Sequence, residues 1–275
     1  NLTAGSVWLF AAVFGFNLIA ATQDIVTDGL AVRLLNAKER GLANGIQVGA
    51  YRLGMVLGGG QGQRVDLGAR RSMFARTSWS VMFLGMAAML ALTIVPVWRL
   101  TEPPPLPRVV SPGARQLAVA WFHRAMTPGM LALAGLIFCY RLGDQMVSSL
   151  ITPFLIDQGV DKHTIALMKG AMGSSTSLLG AVLGGWLTLR TGRRQVLLVC
   201  GLMQAATFCL YIAAAQGLGD HRLLWAATVL EGVIGTMASV ALFTLMMDAS
   251  DPAHAGTDYT LLASVVVLVG SLGGL

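Results

Sequence analysis

Charge is scarce in this sequence. Asp, Glu, Lys and Arg together make up 12% of it, whereas an ordinary soluble domain is about one quarter charged. Hydrophobic residues reach 55%, more than a water-facing surface can hide, and this excludes a soluble globular domain. Cysteine is nearly absent as well. Cys139, Cys200 and Cys209 all fall inside apolar runs and show no C-x-x-C spacing, so neither a disulfide framework nor a metal site is expected. No lysine follows a glycine, which excludes a phosphate-binding P-loop, and neither H-E-x-x-H nor an H-x-x-x-x-D acyltransferase spacing occurs. His123, His163, His221 and His254 sit at the ends of apolar runs or in loops, where an interfacial role is expected of them. These absences leave an enzyme little to work with, and no cofactor is expected.

What the chain has in quantity is long apolar runs. A spanning helix needs about 20 mostly apolar residues, because hydrocarbon tolerates only backbone whose hydrogen bonds are satisfied internally. Eight stretches have that length, at roughly 6–32, 42–62, 77–98, 129–156, 164–189, 196–216, 223–248 and 258–275, and they predict an all-α membrane protein. The first residue is Asn1 and the last span reaches Leu275, so the chain is expected to be truncated at both ends. The net charge of +6 raises nucleic acid as a partner, but the basic residues punctuate the spans. Alternating the loops between two sides places Arg33, Lys38, Arg40, Arg99, Arg108, Arg115, Arg124, Arg190, Arg193 and Arg194 on one face. Arg64, Arg70, Arg71, Arg76, Lys162 and Arg222 fall on the other. The richer side is cytoplasmic by the positive-inside rule, and the charges read as topology signals and lipid-headgroup contacts.

Pro103, Pro104, Pro105 and Pro107 exclude helix between the third and fourth spans. The segment 101–127 is expected to be a cytoplasmic linker ending in a short interfacial helix, where Arg115 and Arg124 flank Leu117, Val119, Trp121 and Phe122. It separates residues 1–100, with three spans, from 128–275, with five. An internal repeat supports that division: Gly41 opens a helix reaching Gly58 and Gly59, and Gly256 opens one reaching Gly273 and Gly274, at a common offset of 215 residues. If each half holds six spans, the first span here is the fourth of its half and eight of twelve helices are present. Gly41, Gly45 and Gly49 recur at every fourth position, followed by Gly54 and Gly58, and Gly180 with Gly184 repeats the spacing. Small residues so placed let helix backbones approach closely, either as plain packing or as a sliding contact between halves.

Ionisable groups deep in a span are costly and therefore functional candidates. Arg52 lies about ten residues into its span, roughly 15 Å at 1.5 Å per residue. Arg141 and Asp144 are also central, three apart on one helix face where they can pair, with Gln145 and Ser148 extending the polar stripe. A neutralised structural pair is the alternative. Asp24 and Asp28 stack at i,i+4 beside Gln23; two close carboxylates do not ionise equally, which suits a proton carrier, and a salt bridge from Asp28 to Arg33 or Arg40 is the alternative. Glu231, on a face continued by Gly235, Ala238 and Ser239, is another proton candidate. Lys169, early in its span, can snorkel to the interface, and Asp248 and Asp258 bracket a loop where solvation or helix capping is expected.

The segment Gly184-Gly185-Trp186-Leu187-Thr188-Leu189-Arg190-Thr191-Gly192-Arg193-Arg194 resembles the loop motif of the major facilitator superfamily, with Leu189 where that motif has aspartate. The runs Ala21–Asp28, Glu39-Arg40-Gly41, Tyr51–Met55 and Tyr140–Asp144 resemble the AmpG-type permeases, a group that includes muropeptide permeases, siderophore importers and acetyl-CoA transporters. His254–Thr260 is similar to the siderophore branch. The resemblance implies two pseudo-symmetric helical bundles and a monomeric multi-pass permease of the bacterial inner membrane. It implies inward movement of a small solute, a siderophore or a muropeptide, with protons. It places the first, fourth and seventh spans around the central cavity, and with them Gln23, Asp24, Tyr140, Arg141, Asp144, Gln145, Glu231 and Ser239. Arg52 and Arg141 would attract an anionic solute; Asp24, Asp28, Asp144 or Glu231 would take the proton; Glu39, Arg40, Gly185, Arg190, Gly192, Arg193 and Arg194 would form the gating loops. A membrane-embedded acyl or lipid transferase, or a non-transporting receptor on the same fold, is the rival reading.

Overall fold

The computed structural model describes residues 4–57, 79–100, 113–219 and 221–273, and those residues are helical with short connections. In chain order the helices are α1 (Ala4–Leu34), α2 (Arg40–Leu57), α3 (Trp79–Arg99), α4 (Ala114–Ala125), α5 (Pro128–Asp157), α6 (Lys162–Leu167), α7 (Gly173–Thr191), α8 (Arg193–Ala215), α9 (His221–Ala249) and α10 (Ala255–Gly273). A π-helical turn, Met168–Met172, joins α6 to α7, and a 3₁₀ turn, Pro252–His254, precedes α10. The stretch Ala114–Ala125 is helical, as α4, with Val119, Trp121 and Phe122 exposed along it. The proline run 103–107, the loop 62–76 with its four arginines, and Gly58, Gly59 and Gly274 lie outside the described residues.

Five described helices have the length and composition to cross a bilayer: Val7–Leu34, Pro128–Asp157, Arg193–Ala215, Arg222–Ala249 and Pro252–Gly273. The other three expected spans are also helical. α3 is apolar along its whole length, Trp79–Arg99, with Pro96 inside it. The described part of α2 carries Arg40, Gln47 and Arg52, and the span expected at 164–189 is divided by the π turn. Inside these helices hydroxyls find acceptors one turn back: Thr188 donates to the Gly184 carbonyl, Thr228 to Leu224 and Thr236 to Gly232, and Ser250, just past α9, donates to Met246. A hydroxyl satisfied by its own helix needs no water. Turn chemistry sets two helix ends. After α5, Val160 N–H donates to the Leu155 carbonyl and Gly159 N–H to Ile156, and Gly159 takes φ +74°, the left-handed conformation this stop requires. Gly217, at φ +73°, ends α8 in the same way.

The chain divides into two compact units. The first holds α1 with its loop to Arg40, α4, α5 as far as Val147, and the chain from Leu242 onward. Here α1 meets α10 backbone to backbone: a methyl on Gly29 would stand 2.9 Å from Gly256 Cα. Gly273 leaves the room that Gln145 of α5 occupies, since a methyl there would lie 2.6 Å from Gln145 Cβ. Val32, Ile137, Leu242, Met246, Met247 and Leu262 form its buried apolar centre. The second unit holds α2, α3, the rest of α5, α6 to α8, and α9 as far as Ala241. In it Gly41 and Gly45 of α2 lie against Thr188, Ala181 and Gly185 of α7, while Gly180 and Gly184 present the other side of α7 to Val233 and Met237 of α9. Gly41, Gly45, Gly180 and Gly184 are therefore contact positions, whereas a methyl on Gly54 would meet nothing within 4 Å. The α1–α10 and α2–α7 pairings each join a helix from before the proline run to one from after it.

A methyl on Gly180 would collide with the Val233 carbonyl, a backbone atom that cannot step aside, whereas one on Gly135 meets nothing within 4 Å. Gly180→Val is expected to destabilise the detergent-solubilised protein by about 1–3 kcal/mol, and Gly135→Ala to raise stability slightly. Thermal unfolding of the two variants beside the wild type checks this.

Candidate functional site

Within the first unit, two arginines close the helix ends. Arg40 is 11% exposed and gathers acceptors from two places: Nη2 donates to the Val32 carbonyl at 3.0 Å, Nη1 to the Met247 carbonyl at 3.0 Å and to Asp248 Oδ1 at 3.0 Å. The last carbonyls of a helix lack partners and carry the negative end of its dipole, so one planar cation can satisfy the end of α1 and the end of α9 together. Glu39 accepts from the Asn36 backbone N–H at 3.1 Å and shapes the turn that delivers Arg40.

Arg124, at the end of α4, forms the second lock. Nε donates to Asp258 Oδ1 at 2.7 Å and Nη2 to Asp258 Oδ2 at 2.9 Å, a two-pronged pairing, and Nη2 also reaches Asp251 Oδ2 at 3.0 Å. Asp258 is 3% exposed and accepts further from the Asp251 backbone N–H at 3.1 Å. The solvated or capping role expected of Asp258 is thus corrected: it is a buried anion whose partner arrives from a helix 134 residues away in sequence. Asp248, too, is held by a cation rather than by solvent. A cavity of about 490 Å³ opens beside this lock, lined by Arg124, Thr127, Met130, Leu133 and Asp258 among others. The hydrogen bond to Asp258 raises the Arg124 pKa above its ordinary value. The Asp251 carboxyl is held below its ordinary range, first by the Ala253 backbone N–H and then by Arg124.

The same unit holds the polar residues of α1 and the first part of α5. Arg141 Nη1 donates to Asp144 Oδ2 at 3.1 Å, so the pair read from i,i+3 spacing forms. Gln145 packs against Gly270 and Gly273 of α10. On α1, Gln23 and Asp24 are exposed, while Asp28 is half-buried next to Gly29 and lies within electrostatic reach of Tyr259, a buried residue of α10. Tyr140 is half-buried on α5.

The second unit brings Glu231 into a pocket of four elements. Ser148 Oγ of α5 donates to Glu231 Oε1 at 3.3 Å, and Tyr211 Oη of α8 donates to Glu231 Oε2 at 3.4 Å. Tyr211 Oη also lies 3.2 Å from Thr228 Oγ1 on α9, one turn before Glu231, and its ring meets Phe154 edge-on at 6.1 Å. Lys169, on the π turn, donates to the Ser148 carbonyl at 3.4 Å and lies in the electrostatic field of Glu231. Ser239 donates to the Gly235 carbonyl within α9. Tyr211, Thr228 and the role of Lys169 escaped the sequence reading. A tyrosine in an otherwise apolar run was the one available signal, and snorkelling, expected of Lys169, is replaced by an inward bond.

The remaining candidates lie on α2 and around the α7–α8 turn. Arg52 is half-buried, and its Nε is shielded from solvent without a hydrogen-bond acceptor among the described residues. Gly185 faces Gly41 and Gly45. Arg190 lies over the Trp186 ring at 5.3 Å, Gly192 takes φ +90° where α7 stops, Arg193 is half-buried and Arg194 is exposed. Leu189 is exposed and supplies no charge to that turn.

Comparison with known proteins places this geometry in a context. The sequence model of the Major Facilitator Superfamily matches residues 2–274. An anhydromuropeptide permease of Escherichia coli strain K12 is 29% identical over 277 aligned residues, covering 97% of this chain and 54% of the relative. An uncharacterised protein of Haemophilus influenzae is 28% identical, covering 99% and 64%. A putative transporter AmpG 4 of Rickettsia felis is 22% identical, covering 94% and 62%. The chain spans about half to two thirds of the length of these curated relatives.

Removing Arg124 strands the buried Asp258 anion. Arg124→Gln is expected to destabilise by about 2–3 kcal/mol, below the full value for a buried pair because the arginine is partly exposed. Asp251 adds a pH dependence. Its lowered carboxyl stabilises the fold above the ordinary carboxylate pKa, about 3.9, and that stabilisation is lost as pH falls through the depressed value. Thermal unfolding across pH 3 to 7 should show a shallower acid loss in Asp251→Asn than in the wild type.

Proposed function

Since the chain belongs to the Major Facilitator Superfamily, we propose that it forms part of an inner-membrane permease that imports a small anionic solute together with protons by alternating access. The observation that carries the reading is the set of ionisable groups held within α1, α5 and α9: Asp24 and Asp28, Arg141 with Asp144, and Glu231. Groups so placed are costly in a bilayer and mark ion and solute pathways. Similarity to an anhydromuropeptide permease and to AmpG-type transporters favours a muropeptide over a siderophore as the solute. Arg52 and Arg141 supply positive charge for an anion, and Asp24, Asp28, Asp144 and Glu231 are the proton acceptors.

The two bundles are residues 1–100 and 128–275, and the glycine faces of α2 and α7 are the surfaces that slide as access alternates. The linker 101–127 is cytoplasmic, and Glu39, Arg40, Gly185, Arg190, Gly192, Arg193 and Arg194 hold the cytoplasmic side closed. The permease works as a monomer and needs no nucleic-acid partner.

Proteoliposomes containing the intact permease, loaded at neutral pH and diluted into acidic medium, should accumulate an anhydromuropeptide against its gradient. Asp144→Asn should lower that accumulation by at least about tenfold at normal expression. Uptake indifferent to the pH gradient would contradict proton coupling, wild-type uptake by Asp144→Asn would make the Arg141 pair structural, and absence of flux for this solute and for ferric siderophores would favour a receptor.

A further inference from the structure

We propose that Lys169 is an anion-binding group whose availability is set by a proton on Glu231, so that solute and proton are recognised by one charge pair in the second unit. The inference rests on the proposed proton-coupled import and names the site of coupling. Its geometry begins with two irregularities in otherwise regular helices. Pro153, inside α5, has no N–H for the Ser149 carbonyl, and its ring crowds the turn before it. The Met168–Met172 segment adopts i→i+5 pairing, a widened turn that changes the register of the side chains on either side and occurs frequently at functional sites. These irregular turns meet: the Lys169 ammonium, on the π turn, donates to the Ser148 carbonyl, in the α5 turn before Pro153.

Ser148 then joins the two charges. Its carbonyl accepts from Lys169 and its hydroxyl donates to Glu231. Among the described residues, the groups facing Glu231 include Ser148 from α5, Tyr211 from α8, Thr228 through Tyr211 on α9 itself, and the Lys169 charge from the π turn. Tyr211 donates to the second carboxylate oxygen and is fixed by the Phe154 ring, so the carboxylate is oriented from two sides. With Glu231 ionised, its charge offsets that of Lys169 and weakens the attraction the ammonium offers an anion. A proton arriving on the carboxylate makes it neutral while the ammonium keeps its charge; no covalent bond other than that O–H changes. The partly buried ammonium is then uncompensated, a state disfavoured away from water until an anionic group of the solute approaches. Proton and anion therefore favour each other's binding, and by linkage the effect is reciprocal.

The test has two arms on the intact permease. Infrared titration in lipid, without solute, follows the protonated-carboxyl band that Glu231→Gln removes. In Lys169→Gln its midpoint should move to higher pH by about one unit or more, since an opposite charge has been withdrawn, and in Lys169→Arg it should stay near the wild-type value. An unmoved midpoint in Lys169→Gln overturns the inference, whatever the transport result. The second arm uses an anhydromuropeptide in proteoliposomes. Glu231→Gln should lose accumulation driven by a pH gradient, and Lys169→Gln should raise the half-saturating concentration by about tenfold or more, with Lys169→Arg recovering most of it. Gradient-driven accumulation by Glu231→Gln at the wild-type level overturns the inference while leaving the permease reading intact. A wild type that does not respond to the gradient overturns the coupling reading itself, and the infrared arm still decides whether the charge pair exists.

Discussion

A charge removed from water must be met by another charge or by well-aimed dipoles, and the arrangement of this chain follows from that constraint. Arg40 is nearly buried and takes two helix-end carbonyls and Asp248. Arg124 meets Asp258 with a two-pronged hydrogen bond, and Arg141 meets Asp144 one turn away. Glu231 is approached by two hydroxyls and the field of a lysine. The pairings of Arg40, Arg124 and Glu231 tie together elements that apolar packing alone would hold with little specificity, because lipid tails are as apolar as leucine. The glycine contacts act beside them. Gly29 against Gly256, and Gly41 and Gly45 against α7, bring backbones close enough for the polar groups to meet.

The pairings differ in what they can do. Those of Arg40 and Arg124 lie at helix ends, where closing or opening them changes which elements are joined. Both include an aspartate from the chain around the α9–α10 connection, Asp248 in one case and Asp251 with Asp258 in the other. The short helix α4 is thereby fastened to the start of α10. The Glu231 pocket, by contrast, is inside helices, and it contains the two features that regular helices avoid, an internal proline and a π turn. Irregular backbone away from water is tolerated where it is buried in protein, and here the Lys169 ammonium adds a bond to the Ser148 carbonyl beside it.

Much of this was legible in the residues because hydropathy and spacing are local. The spans expected at 129–156, 196–216 and 223–248 correspond to α5, α8 and α9 within a few residues, and the basic amphipathic stretch before the fourth span is α4. Arg141 and Asp144 pair because i,i+3 places them on one face. The glycines at every fourth position mark helix contacts because absence of a side chain is itself a spacing signal. What remained hidden depends on distant parts of the chain. Nothing near Asp258 announces Arg124, and solvation was the natural expectation for an aspartate beside a loop. Tyr211 and Thr228 acquire meaning only when α8 lies against α9. The π turn has no signature in Met-Lys-Gly-Ala-Met, and without it Lys169 read as a residue reaching for the interface.

If, as proposed, a proton accompanies each anionic solute, adding solute alone moves protons. An anhydromuropeptide added to weakly buffered proteoliposomes of the intact permease, under no imposed gradient, should then alkalinise the medium, and a protonophore should abolish the signal. Solute entry with no change in external pH would contradict the proposed coupling.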